Sequence, residues 1–215
     1  MRQMGLIAGV VLLAACTLNP EGLTATPSPS PLPSGVANIT PTGDETLAPG
    51  RYTRHDFAPR VTFEVNDTWS GGQVVDGFFV ILQGGEDADV VAIQFARPRA
   101  LHGADGAQVP IDAADAVDIL STHPNVEVVE TSTSRMGGLE GSQITIESTG
   151  ADAEDAEIMD LPPGTIGINP ERRLWIAFFD TDEGLLAIMV SAPTEGWDEA
   201  LAQAEPVLES VEIEQ

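Results

Sequence analysis

Apolar and polar residues alternate over 61–65 (Val-Thr-Phe-Glu-Val), the period-2 pattern of a strand with one buried face. Past Trp69 and the Gly71-Gly72 pair, residues 74–83 carry a continuous apolar run from Phe78 to Leu82, which predicts one central strand buried on both faces. Residues 84–89 (Gly-Gly-Glu-Asp-Ala-Asp) break the pattern as a turn, and 90–95 return as the next strand. The period then changes. Asp112 opens 112–121 as a helix cap, Ala113, Ala116, Val117 and Leu120 share one helical face, and Pro124 closes the segment. Two β-rich runs, 126–133 and 142–148, flank Gly137-Gly-Leu-Glu-Gly141, which reads as a hairpin turn with glycines at positive φ. An acidic loop over 151–157 precedes a second hairpin, 174–179 with 185–190, turning on Asp180-Thr-Asp-Glu-Gly184. A last helix is expected over about 195–210, where Trp197, Leu201, Ala204, Leu208 and Val211 form one apolar stripe, with Pro206 kinking it or restarting its last turn. Strands first, then a helix, hairpins and a helix predict an α+β fold: a mostly antiparallel sheet with helices packed on it, over 50–215.

The pattern fails in two places upstream, and each failure is informative. Residues 17 to about 49 are rich in Thr, Ser, Pro and Gly, with proline alternating through Thr26-Pro-Ser-Pro-Ser-Pro-Leu-Pro-Ser-Gly35. Such a composition buries too little apolar surface to fold and predicts a disordered linker over 16–49. Ahead of it, Arg2 is followed by an apolar run from Met4 to Ala15 and then by Cys16, the only cysteine of the chain. That run is too short to cross a bilayer core of roughly 30 Å as a helix, and its layout is that of a signal peptide over 1–15. Leu13-Ala-Ala-Cys16 resembles the lipobox of bacterial lipoproteins. The resemblance implies cleavage before Cys16, a lipid on its thiol, and an extracytoplasmic protein anchored to a bacterial membrane. Two acyl chains on one residue, at about 0.8 kcal/mol per buried CH₂, give a stable anchor where one is marginal. With that thiol acylated the folded part has no cysteine for a disulfide, a redox centre or a thiolate metal site.

The order of features over 50–215 also resembles a known fold. Phe63 and Trp69 early, the helix before Pro124, Gly137-Gly-x-x-Gly141 ahead of Gln143-Ile-Thr-Ile-Glu147, and the terminal Trp197 helix are similar to the PsbP/LpqN-like α-β-α sandwich of secreted bacterial lipoproteins. That likeness implies an accessory or binding role and supplies no catalytic residue.

Composition narrows the function classes further. Nine basic residues, all arginine, stand against 34 Asp and Glu, for a formal charge of −25. Such a field repels phosphate backbones and anionic headgroups, which argues against nucleic acid and against peripheral adhesion to lipid; cations and basic partners are attracted. The basic pairs Arg97-Pro-Arg99 and Arg172-Arg173 are expected to neutralise local carboxylates. His55, His102 and His123 are spread along the chain without a second ligand at i+3 or i+4, and read as surface or cap histidines. Neither a G-x-S-x-G elbow, a phosphate-binding loop nor a dinucleotide fingerprint occurs, so no enzyme activity or cofactor is expected. The first functional expectation is a membrane-anchored, non-catalytic binding or accessory module for another envelope component. The alternative is a calcium-dependent module or envelope enzyme using acidic loops, 86–89, 152–157 and 180–183, with Asp152, Glu154, Asp155 and Glu157 as candidate metal ligands.

Overall fold

The computed structural model describes residues 33–40, 46–66, 68–83, 90–104, 108–109, 112–150, 156–162 and 164–215. In chain order the elements are β1 (Val36–Asn38), β2 (Gly50–Thr53), β3 (Val61–Val65), β4 (Trp69–Val75), β5 (Phe78–Gln83), β6 (Val91–Ala96), β7 (Ala100–His102) and β8 (Gln108–Val109). Then follow α1 (Ala113–Ser121), β9 (Val126–Met136), β10 (Leu139–Ser148), β11 (Ala156–Leu161), β12 (Gly164–Ile168), β13 (Arg172–Thr181), β14 (Gly184–Pro193), α2 (Trp197–Glu209) and β15 (Glu212–Ile213). A seven-stranded antiparallel sheet in the order β4-β5-β6-β14-β13-β10-β9 forms the middle. Two four-stranded sheets, β1-β2-β3-β15 and β12-β11-β7-β8, accompany it.

Period-2 alternation divides the central strands between two cores. On β13, Trp175, Ala177 and Phe179 join one core; Leu174, Ile176 and Phe178 join the other. On β14, Leu186, Ile188 and Val190 alternate in the same way with Leu185, Ala187 and Met189. The first core takes in α2 through Trp197, Ala200, Ala204 and Val207, together with Val61 and Phe63 of β3 and Ile213 of β15. Phe57, Phe63, Phe79 and Phe95 pack ring on ring there, Phe79 and Phe95 stacked at 4.5 Å. The second core takes in α1 through Ala113, Ala116 and Leu120, with Leu101 of β7 and Ile158 and Met159 of β11. Each fully buried side chain of this size contributes about 1.5–3 kcal/mol, so a sheet filled on both faces outweighs the modest propensity of its strands.

Several expectations change. Residues 74–83 are not one strand: β4 and β5 form a hairpin that turns at Asp76-Gly77, with Gly77 at φ 69°. Asp-Gly between apolar runs is a strong hairpin signal, masked here by apolar residues on both sides of it. The expected linker through residue 49 is overturned at its C-terminal end. Val36–Asn38 pairs in parallel with β2, and Ile39 and Leu47 are buried in the first core. Most of the remainder of that stretch, together with residues 1–15 and Cys16, lies outside the described residues. The helices share the covering of the central sheet with two smaller sheets that local sequence pattern did not reveal. Gly137 and Gly138 do turn the β9–β10 hairpin at φ 56° and 84°, but Gly141 sits inside β10 for another reason. A Cβ there would lie 2.0 Å from the Phe178 carbonyl oxygen, so only glycine lets β10 approach β13 this closely. Among the described residues no helix is long and apolar enough to cross a membrane.

Candidate functional site

The first turn of α1 meets the turn end of the β9–β10 hairpin around a groove of about 570 Å³. Ala113 and Ala114 form one wall, Thr133, Ser134 and Arg135 of β9 with Glu140, Gly141 and Ser142 of β10 the floor, and Asp180 at the end of β13 the other wall. Two side chains clamp the backbone of Ala113 from either side. Asp180 Oδ1 accepts its N–H at 2.9 Å, and the Ser142 hydroxyl donates to its carbonyl. Asp112 caps the helix by accepting from the Asp115 N–H at 3.0 Å. The positive end of the helix is therefore already served by protein carboxylates, and the groove is not an anion cradle. Arg135 is ion-paired with Glu140 across the hairpin. Hydroxyls and carboxylates remain to face a ligand, a lining that suits hydrogen-bond donors and cations.

A second constellation was hidden by sequence distance. His102 and His123 are both buried rather than surface or cap residues. Nε2 of His102, on β7, lies 3.0 Å from Asp160 Oδ1 on β11, close enough to donate to that carboxylate. His123, just past α1, accepts the Asn125 N–H on Nδ1 at 3.2 Å, and its ring is hydrogen-bonded to the Glu157 backbone. Burial holds its pKa below the usual histidine range, the neighbouring His102 lowers it further, and the bond to Glu157 opposes both. With those bonds made, His123 works as a neutral fastener between α1 and β11. His55 is exposed, its ring 2.9 Å from Asn38 Oδ1.

The acidic-loop candidates are not brought together by anything described. Asp152, Glu154 and Asp155 lie outside the described residues, as do residues 86, 87 and 89. Glu157 is exposed on β11 and accepts from the Thr165 hydroxyl at 3.0 Å. Among the described residues no group of three or more His, Cys, Asp or Glu has the placement to hold a metal ion. The basic pairs divide. Arg173 is ion-paired with Glu147 at 2.5 Å and lies 5.5 Å over the Trp197 ring. Arg172 donates to the carbonyls of Val90 and Ser191, and burial lowers its pKa. Arg97 and Arg99 border a smaller pocket of about 240 Å³ with Asp76 and Glu183 in its wall, and Arg97 donates to the Glu183 carbonyl at 3.0 Å.

No family model matches the chain, and no curated protein matches it. Among solved structures it is similar to cyanobacterial PsbP (CyanoP) from Synechocystis sp. PCC 6803, at 16% identity and a TM-score of 0.43, over 82% of this chain and 97% of that one. It is also similar to LpqN of Mycobacterium tuberculosis, a protein described as involved in cell envelope biogenesis, at 12% identity and a TM-score of 0.40, over 72% of this chain and 83% of that one. A Bacteroides thetaiotaomicron structure is similar at 11% identity and a TM-score of 0.38, over 72% of this chain and 45% of that one. Likeness at this level assigns the chain to no family and gives no residue a role.

Proposed function

We propose that the chain is an extracytoplasmic module, tethered to a bacterial membrane through lipid on Cys16, that binds an envelope component without catalysing a reaction on it. The observation that carries the binding reading is the groove between α1 and the β9–β10 hairpin. Its volume of about 570 Å³ falls in the range of small-molecule sites, and its lining brings Thr133, Ser142, Glu140, Asp180 and the Arg135 guanidinium to one space. Its chemistry favours holding over turnover. The Ser142 hydroxyl is committed to the Ala113 carbonyl, and among the described residues no imidazole lines the groove to act as a base. The tether rests on Leu13-Ala-Ala-Cys16 and on the proline-rich stretch behind it.

Two measurements test this. Cells fed an alkyne fatty acid are expected to label the native chain; Cys16→Ser should abolish the label and move the protein to the soluble fraction, and label retained in that variant would overturn the anchor. For binding, the chain is titrated with spermidine, with an N-acetylglucosamine trimer and with CaCl₂ while backbone amide signals are followed by NMR. Saturable shifts at Ala114, Ser134 and Ser142 with either organic probe support the groove. No shift there with any probe overturns it, and calcium shifts confined to 151–157 turn the reading to the acidic loop.

A further inference from the structure

β9 ends the strand order of the central sheet, and with 11 residues it is the longest strand among the described residues. Residues 127–133 are exposed in unbroken succession, although α1 lies beside the strand on one face. Val128 and Val129, its exposed valines, are the exposed large hydrophobic residues among those described. From Glu130 to Met136 the register against β10 is regular, which leaves a straight run of backbone groups on the outer side. The strand carries no proline, and its single register shift lies at Val129, leaving the Glu130–Met136 edge unblunted.

Charge decides what fits there. Glu127 and Glu130 pair with Glu147 and Thr145, positions that alternate with the buried Ile146 and Ile144; both carboxylates therefore project from the face opposite α1. On the α1 side lies the groove with Glu140 and Asp180, and the nearby Arg135 is already paired with Glu140. A strand added about 4.8 Å outside β9 would meet the Glu127 and Glu130 carboxylates on the face opposite α1 and the Arg135–Glu140 pair on the other. A second copy of this chain fits badly, because it would bring another charge of −25 and a second Glu127 and Glu130 to the same seam.

We propose that β9 is a strand-addition site whose outer edge pairs with an extended, basic segment of a partner protein. Main-chain hydrogen bonds supply the affinity and arginine or lysine side chains at alternate positions supply the selectivity, reaching Glu127 and Glu130 on one face or the groove on the other. The inference deepens the binding-module reading by naming the class of partner.

The test uses the full chain and three capped nonapeptides: one alternating Arg with Val and Thr, the same peptide with Glu for Arg, and the Arg peptide with alternate backbone amides methylated. Amide hydrogen exchange and fluorescence anisotropy are the readouts. The Arg peptide is expected to slow exchange over 127–135 by about tenfold or more at saturation, with the other two binding at least about tenfold more weakly. Replacing Glu127→Lys together with Glu130→Lys should cost about tenfold for the Arg peptide and reverse the preference. The charge-matched pair Glu199→Lys with Glu205→Lys, exposed on α2, should change binding less than about twofold. Equal binding of the methylated peptide, or an equal loss in the α2 variant, overturns the proposal as unspecific charge attraction. Protection that rises with protein concentration in the absence of peptide overturns it in favour of self-association. If no peptide binds while spermidine or the saccharide still shifts the groove, the strand-addition proposal falls and the binding module stands.

Discussion

The two edges of the central sheet are built on opposite plans. At one end β4 is seven residues long, bulged between Gly71 and Val74, and roofed by chain from outside the sheet: Thr46 bridges Ser70 and the Leu47 N–H donates to the Trp69 carbonyl at 2.8 Å. Behind it, β5 and β6 carry the Phe79 and Phe95 rings of the aromatic stack. At the other end β9 is longer, shifts register once at Val129, is regular from Glu130 to Met136 and is exposed along its middle. The aromatic stack lies toward the closed edge, and the surface available to a partner lies at the open one. An open edge is a standing aggregation risk, and Glu127 and Glu130 limit it by repelling a second acidic chain.

This contrast can be broken at graded cost. The largest loss is expected from Phe95→Ala, which removes the centre of the ring stack and should lower unfolding free energy by about 3–5 kcal/mol in urea titrations. Gly141→Ala should follow at about 3 kcal/mol, because its Cβ meets the Phe178 carbonyl and β10 must withdraw from β13, carrying β9 with it. Leu47→Ala should cost about 2 kcal/mol and unroof β4, turning the closed edge into a second open one that light scattering would detect on warming. A smaller effect is set by acid. The pKa of His123 is lowered in the folded state, so its contribution is complete above about pH 6.5 and is lost as pH falls through that value, where the unfolded chain takes up the proton first. Hydrogen exchange at pH 5.5 against pH 7.5 should show α1 and β11 opening faster while β5 and β6 hold; His123→Gln should flatten that difference. Smallest of all, Val129→Thr on β9 should stay within about 0.5 kcal/mol of the parent, as befits a strand whose side chains face water.

The same contrast explains what could be read in the chain. Elements with a strong local pattern were legible: β3 over its full length, β6, α1 with its Asp112 cap, the β13–β14 hairpin, and α2 with its apolar stripe. β1, β7, β8 and β15 are two or three residues long and owe their conformation to partners far along the chain, so no window of sequence carries their signal. Gly141 resembles the turn glycines beside it, and only the position of β13 reveals its purpose. The groove depends on residues from α1, β9, β10 and β13, and the pairing of His102 with Asp160 joins β7 to β11. Each is a product of topology, visible only after the strands have been ordered. The exposure of β9 is the exception that local sequence does carry, since Glu-Val-Val-Glu-Thr-Ser-Thr-Ser offers no consistently apolar face.

One feature of the small sheet beside α2 governs timing. Arg51 and Glu212 are joined at 2.5 Å although 161 positions separate them, and Ile213 pairs with Val61 while filling the space under Gly137. β2 and β3 pair with each other locally, but the outer side of β3 is filled only by β15. A domain closed by so distant a pairing pays its loop entropy before its contacts form, and folds slowly. The sheet therefore stays open along β3 until the chain's last strand arrives, and then shuts like a latch.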